Sequence, residues 1–144
     1  IKEKYLKTAE NFTTYKIFVP KANGSGAIGE GASTIVIGQP ALGQPYTGHT
    51  QSFISIGNFS SQREAENCQK YVKTKFARTL LGVLKVTQDN PKKTWANVPL
   101  QDFTVSSDID WSRSIAEIDQ QLYAKYGLSA AEINFIETTI KPME

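Results

Sequence analysis

The sequence contains almost none of the residues that build disulfides, metal centres or membrane spans. Its 144 residues include one cysteine, Cys68, and one histidine, His49. A lone cysteine excludes an internal disulfide, so we expect a reducing compartment, the cytoplasm. One cysteine and one histidine cannot supply the ligand set of a zinc site. No apolar run approaches the roughly 20 residues that a membrane-spanning helix needs, so we expect neither a metal site nor a membrane association.

The same two residues also lack the neighbours that a catalyst needs. Cys68 falls on the apolar face of a predicted helix, whereas a reactive thiol needs an exposed, electropositive environment. We therefore interpret Cys68 as a buried core residue. His49 lies in a loop rich in glycine and threonine, with no identifiable nucleophile beside it. No Asp or Glu is followed two positions later by Lys, the spacing usual in metal-dependent nucleases, so we expect no catalytic residues in this chain.

The length of the chain suits one domain with a hydrophobic core. No internal linker divides it, so we expect a single domain over residues 1–144. The chain opens with Ile1 and has its only methionine at Met143. We therefore expect it to be a fragment of a longer protein.

Charge is distributed unevenly along the chain, although the net charge is only +2. Residues 61–100 carry eight basic and three acidic groups, and residues 101–144 carry three basic and eight acidic groups. A basic region beside an acidic one favours a polyanionic partner. Two oppositely charged faces that only keep the domain dissolved would give the same pattern, so charge alone leaves both interpretations open.

The N-terminal half has the pattern of short strands. Three segments rich in aromatic and β-branched residues predict strands at 14–19, Ser33–Ile37 and Phe53–Ile56, the last ended by Gly57 and Asn58. Between the second and third lies GQPALGQPYTGHTQS, whose glycines and prolines predict turns without a strand.

From Ser61 onward the apolar period becomes helical. Ser61 and Glu64 have capping-box spacing, and an apolar stripe follows that predicts one helix of about six turns. The stripe consists of Ala65, Cys68, Val72, Phe76, Leu80, Val83 and Leu84. Two shorter helices are predicted next, one over Ser114–Tyr126 stopped by Gly127, and one opened by the Ser129/Glu132 capping box. Trp95, Phe76 and Trp111 are expected in the core.

These elements predict an α+β fold. We expect short, mostly antiparallel strands in the N-terminal half, packed on a long amphipathic helix, with two shorter helices at the C-terminal end. The last two helices have the spacing of a helix–turn–helix, but they are acidic, and a DNA-reading helix should be basic. They are therefore interpreted as packing or partner-binding elements.

The glycines Gly24, Gly26 and Gly29 match the spacing of a dinucleotide-binding fingerprint. That fingerprint requires a helix immediately after the glycines, because the phosphates bind at the helix N-terminus. Here a β-branched strand is predicted instead. We therefore expect a mobile connection between strands that becomes ordered against DNA.

Two sets of side chains are candidates for DNA contacts. Lysine and arginine suit phosphates, and amide, hydroxyl and imidazole groups suit base edges. For phosphates the candidates are Lys70, Lys73, Lys75 and Arg78. For base reading they are Lys21, Asn23, Ser25, Gln44, Tyr46, His49 and Gln51. A solvated helix face with ordinary loops is the alternative interpretation.

Three stretches, KYVKTKFARTLL, VPLQDF and LYAKYGLSAAEINFIE, occur in that order. With them the chain resembles the C-terminal region of bacterial restriction–modification enzymes, namely adenine-specific DNA methyltransferases and type II restriction enzymes. The opening YKIFVPKANGSGAIGE is similar to the same family, so the resemblance covers nearly the whole chain. It implies a target-recognition region, which selects the DNA sequence to be methylated.

The resemblance also implies where the chemistry lies. Family catalytic motifs, an Asn or Asp followed by two prolines and an aromatic residue, belong to an upstream domain that holds S-adenosylmethionine. Here Asn90-Pro91 is followed by Lys92-Lys93, so no catalytic residue and no cofactor is expected in this fragment. The expected partners are double-stranded DNA and the upstream methyltransferase domain. The alternative is a protein–protein docking module that joins the methyltransferase to a nuclease or specificity subunit through the acidic helices.

Overall fold

Three strands form an antiparallel sheet in the order β2-β1-β3. The computed structural model describes residues 10–20, 37–50, 52–84 and 98–144. The strands are β1 (Tyr15–Pro20), β2 (Ala41–Gly43) and β3 (Phe53–Phe59). Ile17 and Val19 of the central strand are fully buried, because the first helix, α1 (Gln62–Lys73), covers this sheet. The predicted antiparallel sheet of the N-terminal half is confirmed.

Strand β2 corrects one expectation, since a three-residue strand lies inside the segment predicted to form only turns. Leu42 pairs with Ile17 and Ala41 with Phe18. The prolines on either side of this strand are compatible with an edge position, where backbone donors need no ladder partner. Pairing with β1, rather than local propensity, therefore produces this strand.

Strand β3 continues past the predicted stop at Gly57 and Asn58. Gly57 has a φ of +92° and remains within the strand, where it is accommodated because it has no side chain. A Cβ at this position would fall on the ring of Phe59. The side-chain amide of Asn11 donates to the Gly57 carbonyl at 2.8 Å, which ties the N-terminal turn to β3.

The predicted six-turn helix is wrong as a single element, because it is two helices. Helix α1 spans Gln62–Lys73 and helix α2 spans Lys75–Leu84, with Thr74 extended between them at ψ 150°. The Thr74 hydroxyl donates to the carbonyl of Tyr71 at 2.6 Å and accepts from the amide of Ala77 at 3.1 Å. The Thr74 hydroxyl therefore bonds both the end of α1 and the start of α2, where helical hydrogen bonds are interrupted. The apolar stripe continues from one helix to the next.

Both C-terminal helices begin as predicted. Helix α3 (Ile115–Lys125) and helix α4 (Ala130–Thr139) each start with a reciprocal capping box, formed by Ser114 with Glu117 and by Ser129 with Glu132. Gly127 adopts a φ of +62° after α3, the left-handed conformation that ends many helices. At α1 Ser61 accepts from the Glu64 amide, but the Glu64 carboxylate accepts from Ser60 rather than returning to the cap.

The core lies between the sheet and the helices. Phe103 and Trp111 pack with Tyr71 of α1, with ring centroids 5.1–5.9 Å apart. The expected burial of Cys68, Phe76 and Trp111 is confirmed. Trp95 and most of the predicted strand Ser33–Ile37 lie outside the described residues.

Among the helices of the described ranges, none is long and apolar enough to cross a membrane.

Candidate nucleic-acid interface

The loop 44–50 after β2 presents polar and aromatic side chains to solvent. Gln44, Tyr46 and His49 are all exposed, and Tyr46 is 68% exposed. Tyr46 has a φ of +65°, a left-handed conformation that a non-glycine residue adopts at a cost. Nδ1 of His49 lies 2.7 Å from the Thr50 carbonyl oxygen, to which it donates when it carries the ring proton, and the ring centroids of His49 and Phe18 are 5.3 Å apart. The sequence-predicted reading residues of this loop therefore lie together on the surface.

The loop is fixed to the N-terminal turn and to β1 by hydrogen bonds of its backbone and a ring contact. The amide of Tyr46 donates to the Phe12 carbonyl at 2.7 Å, and the two rings meet edge to face at 5.8 Å. The ammonium of Lys16, buried in β1, donates to the Gln44 carbonyl at 2.8 Å. The loop is exposed at its side chains but anchored through its backbone.

The other four base-reading candidates, Lys21, Asn23, Ser25 and Gln51, lie outside the described residues. The glycine-rich segment with Gly24, Gly26 and Gly29, expected to order against DNA, is also outside them.

Lys70 and Lys75, both predicted phosphate contacts, are engaged within the protein. Lys70 donates to the carbonyl of Trp111 at 2.8 Å and to that of Arg113 at 3.3 Å. Lys75 forms an ion pair with Glu137 at 2.8 Å and also donates to its carbonyl. These lysines brace the 111–113 segment and α4, respectively. Both ammonium groups therefore already have acceptors within the protein.

The other two predicted phosphate contacts, Lys73 and Arg78, differ in solvent exposure. Arg78 is 1% exposed, and its Nε donates to the carbonyls of Lys73 and Thr74 at 3.1 and 3.2 Å. A guanidinium in this position stabilises the end of α1 and cannot reach a phosphate in this conformation. Lys73 is partly exposed and forms no ion pair with the described residues. The four candidates therefore do not form one basic face.

Asp119 is a buried residue that the sequence-based assignments missed. Its carboxylate accepts from the amides of Lys75 and Phe76 at 3.0 and 2.9 Å, so a side chain of α3 caps the N-terminus of α2. Burial raises the pKa of Asp119 to about 6, an effect that these hydrogen bonds and the nearby Arg78 partly oppose. The available sequence signal was its position between Ile118 and Leu122, on the apolar face of its helix.

The described residues offer neither a reactive thiol nor a cluster of metal ligands. Burial raises the pKa of the Cys68 thiol to about 12, so it stays protonated and unreactive at neutral pH. In the part of the chain that the structure describes, no three His, Cys, Asp or Glu side chains converge to hold a metal ion. The described surface can bind through hydrogen bonds, aromatic contacts and charge.

Comparison with protein-family models, with curated proteins and with solved structures finds no match to this chain.

Proposed function

We propose that this chain is the sequence-specific target-recognition domain of a bacterial restriction–modification enzyme, a DNA adenine methyltransferase or a restriction enzyme. The observation that carries the proposal is the loop 44–50, which is exposed at its side chains and anchored at its backbone. Its amide, phenol and imidazole groups suit hydrogen bonds to base edges. The resemblance of the sequence to that enzyme family supports the same function.

This domain and an upstream domain have different roles. Gln44, Tyr46 and His49 contact base edges, and Lys73 is a predicted phosphate contact that is partly exposed and forms no ion pair with the described residues. The upstream domain of the same chain holds S-adenosylmethionine and carries out methyl transfer on an adenine turned out of the duplex. This domain selects the site and performs no chemistry.

A titration of fluorescent duplex DNA with the 144-residue chain tests the proposal. We expect saturable binding whose affinity falls as salt rises, because phosphate contacts release counterions. Gln44→Ala and His49→Ala should weaken binding to a preferred duplex more than to a scrambled one. Absence of duplex binding at low salt would overturn the proposal.

One observation favours a second function, docking of a partner protein. An apolar groove of about 370 Å³ lies between α2 and α4, lined by Leu80, Leu128 and Phe135 together with one acidic residue, Glu132. Such a groove suits an apolar helix with a basic flank, supplied by the methyltransferase domain or by a nuclease subunit. If docking is the function, Phe135→Ser should abolish co-purification with the parental subunits and leave the DNA titration unchanged.

A further inference from the structure

Lys16 is a buried cation with every donor used. Only 1% of its surface is exposed, although burying an ammonium group is costly unless its protons are bonded. Its Nζ donates to three backbone carbonyls, those of Phe12 at 3.1 Å, Thr14 at 2.9 Å and Gln44 at 2.8 Å. An ammonium has three protons to donate. Lys16 therefore joins the N-terminal turn, β1 and the first residue of loop 44–50.

The strand opposite Lys16 is fitted to its side chain. Lys16 pairs with Gly43 across the β1–β2 ladder. A Cβ at Gly43 would lie 2.8 Å from Cγ of Lys16 and 3.0 Å from the ring of Phe18. Only glycine leaves this space, so the stem of Lys16 can cross the edge strand and reach the Gln44 carbonyl.

Two unusual features support the same exposed loop. One is the buried ammonium of Lys16, and the other is the left-handed backbone of Tyr46. A loop that only reverses the chain at the surface requires neither a buried ammonium nor a left-handed non-glycine residue. Buried charges and left-handed non-glycine residues are exceptions to the usual local preferences, and such exceptions occur mainly at functional sites.

We propose that Lys16 is a positioning residue that, together with Phe12, holds loop 44–50 in one conformation so that Tyr46 meets the DNA bases in a preset orientation. The inference rests on the proposed function, since the loop is the proposed base-reading element. A preformed loop loses less conformational entropy on binding than a loose one. Sequence discrimination therefore depends on Lys16, although Lys16 does not touch the DNA.

The first test follows the loop without DNA. Lys16→Met keeps an unbranched stem and removes all three donated hydrogen bonds, and Lys141→Met removes the same charge from an exposed position. Hydrogen exchange of the Tyr46 amide, bonded to Phe12 in the parent chain, should be at least about tenfold faster in Lys16→Met and unchanged in Lys141→Met. An unchanged Tyr46 exchange rate in folded Lys16→Met overturns the inference, whatever the DNA results.

The second test measures discrimination between duplexes selected from a randomised library and scrambled duplexes. Phe12→Leu removes the aromatic contact with Tyr46 and keeps the Phe12 carbonyl, so it provides a variant that retains the Lys16 bonds. We expect Lys16→Met to reduce discrimination about tenfold, within the range of one mismatched base pair, and Phe12→Leu to reduce it less. Full discrimination in Lys16→Met overturns the positioning role of Lys16 while the proposed function stands. Lack of any preference in the unaltered chain overturns the proposed function itself.

Discussion

At the scale of single residues, the basic side chains have two different roles. Lys16 and Arg78 are buried and donate to backbone carbonyls, whereas Lys73 is partly exposed. Long basic side chains can place their stems along apolar surface and direct their heads toward protein carbonyls or toward water. Charge counted along a sequence cannot separate these roles, since the choice depends on which carbonyls the fold brings near.

Lys73 and Arg78 should therefore respond differently to alanine. Lys73→Ala should make the slope of log affinity against log salt shallower by about 0.9, the value for one phosphate contact on duplex DNA, with stability unchanged. Arg78→Ala should lower the free energy of unfolding by about 3 kcal/mol, because it removes the donor to the Lys73 and Thr74 carbonyls together with the favourable charge interaction with the buried Asp119. Urea unfolding and salt-dependent titration measure the two effects. A stable Arg78→Ala domain with a shallower salt slope would contradict the assignment.

Asp119 should contribute strongly to stability through its cap on α2. Asp119→Ala leaves the amides of Lys75 and Phe76 without their carboxylate acceptor, and we expect a loss of about 3 kcal/mol from one buried and one partly buried donor. Asp108→Ala is the matched control, because it removes an exposed carboxylate paired with Lys125 and should cost much less. Equal losses in urea unfolding would disprove the capping role.

The same carboxyl gives stability a defined pH dependence. Burial raises the pKa of Asp119 from 3.8 to about 6, so between these values the folded state holds a proton that the unfolded chain releases. The resulting stability is present below the unfolded pKa and is lost as pH rises through the folded pKa. Relative to Asp119→Asn, which does not titrate, the parent chain should lose up to about 3 kcal/mol between about pH 4 and pH 7. A constant difference in urea unfolding over this range would refute the assignment.

At the scale of elements, the break at Thr74 shows what sequence patterns miss. The apolar stripe from Ala65 to Leu80 predicted an uninterrupted helix, and its spacing is preserved on both sides of Thr74. The interruption depends on Asp119, which is 45 positions further along the chain and supplies the acceptor for the start of α2. By contrast, the cap at Ser129 and the helix stop at Gly127 are local, and the sequence predicted them correctly.

Thr74→Ala should weaken the junction of α1 and α2. The change removes the hydroxyl that bonds both Tyr71 and Ala77, and a lost cap of this kind costs about 1 kcal/mol. Thr74→Ser keeps the hydroxyl and should retain most of the stability. If the alanine and serine variants unfold at the same denaturant concentration, the hydroxyl does not hold the junction.

At the scale of the whole molecule, α+β class, the antiparallel sheet and the C-terminal caps could be predicted, since each depends on local periodicity or a short motif. The edge strand β2 could not, because its pairing with β1 is a tertiary contact. The contacts that anchor loop 44–50 could not be predicted from the sequence for the same reason. Lys16 and Gln44 are far apart in sequence, and only the sheet brings the ammonium to that carbonyl. The exposed polar loop was predictable from composition, and its anchoring was not.

The most direct test of DNA target recognition is selection from a library of duplexes with a randomised central segment. The 144-residue chain is the bait, and Tyr46→Ala serves as the comparison. We predict enrichment of one short sequence motif by the unaltered chain and its weakening in Tyr46→Ala, because Tyr46 belongs to the proposed reading loop. Enrichment of no motif by the unaltered chain would contradict the account.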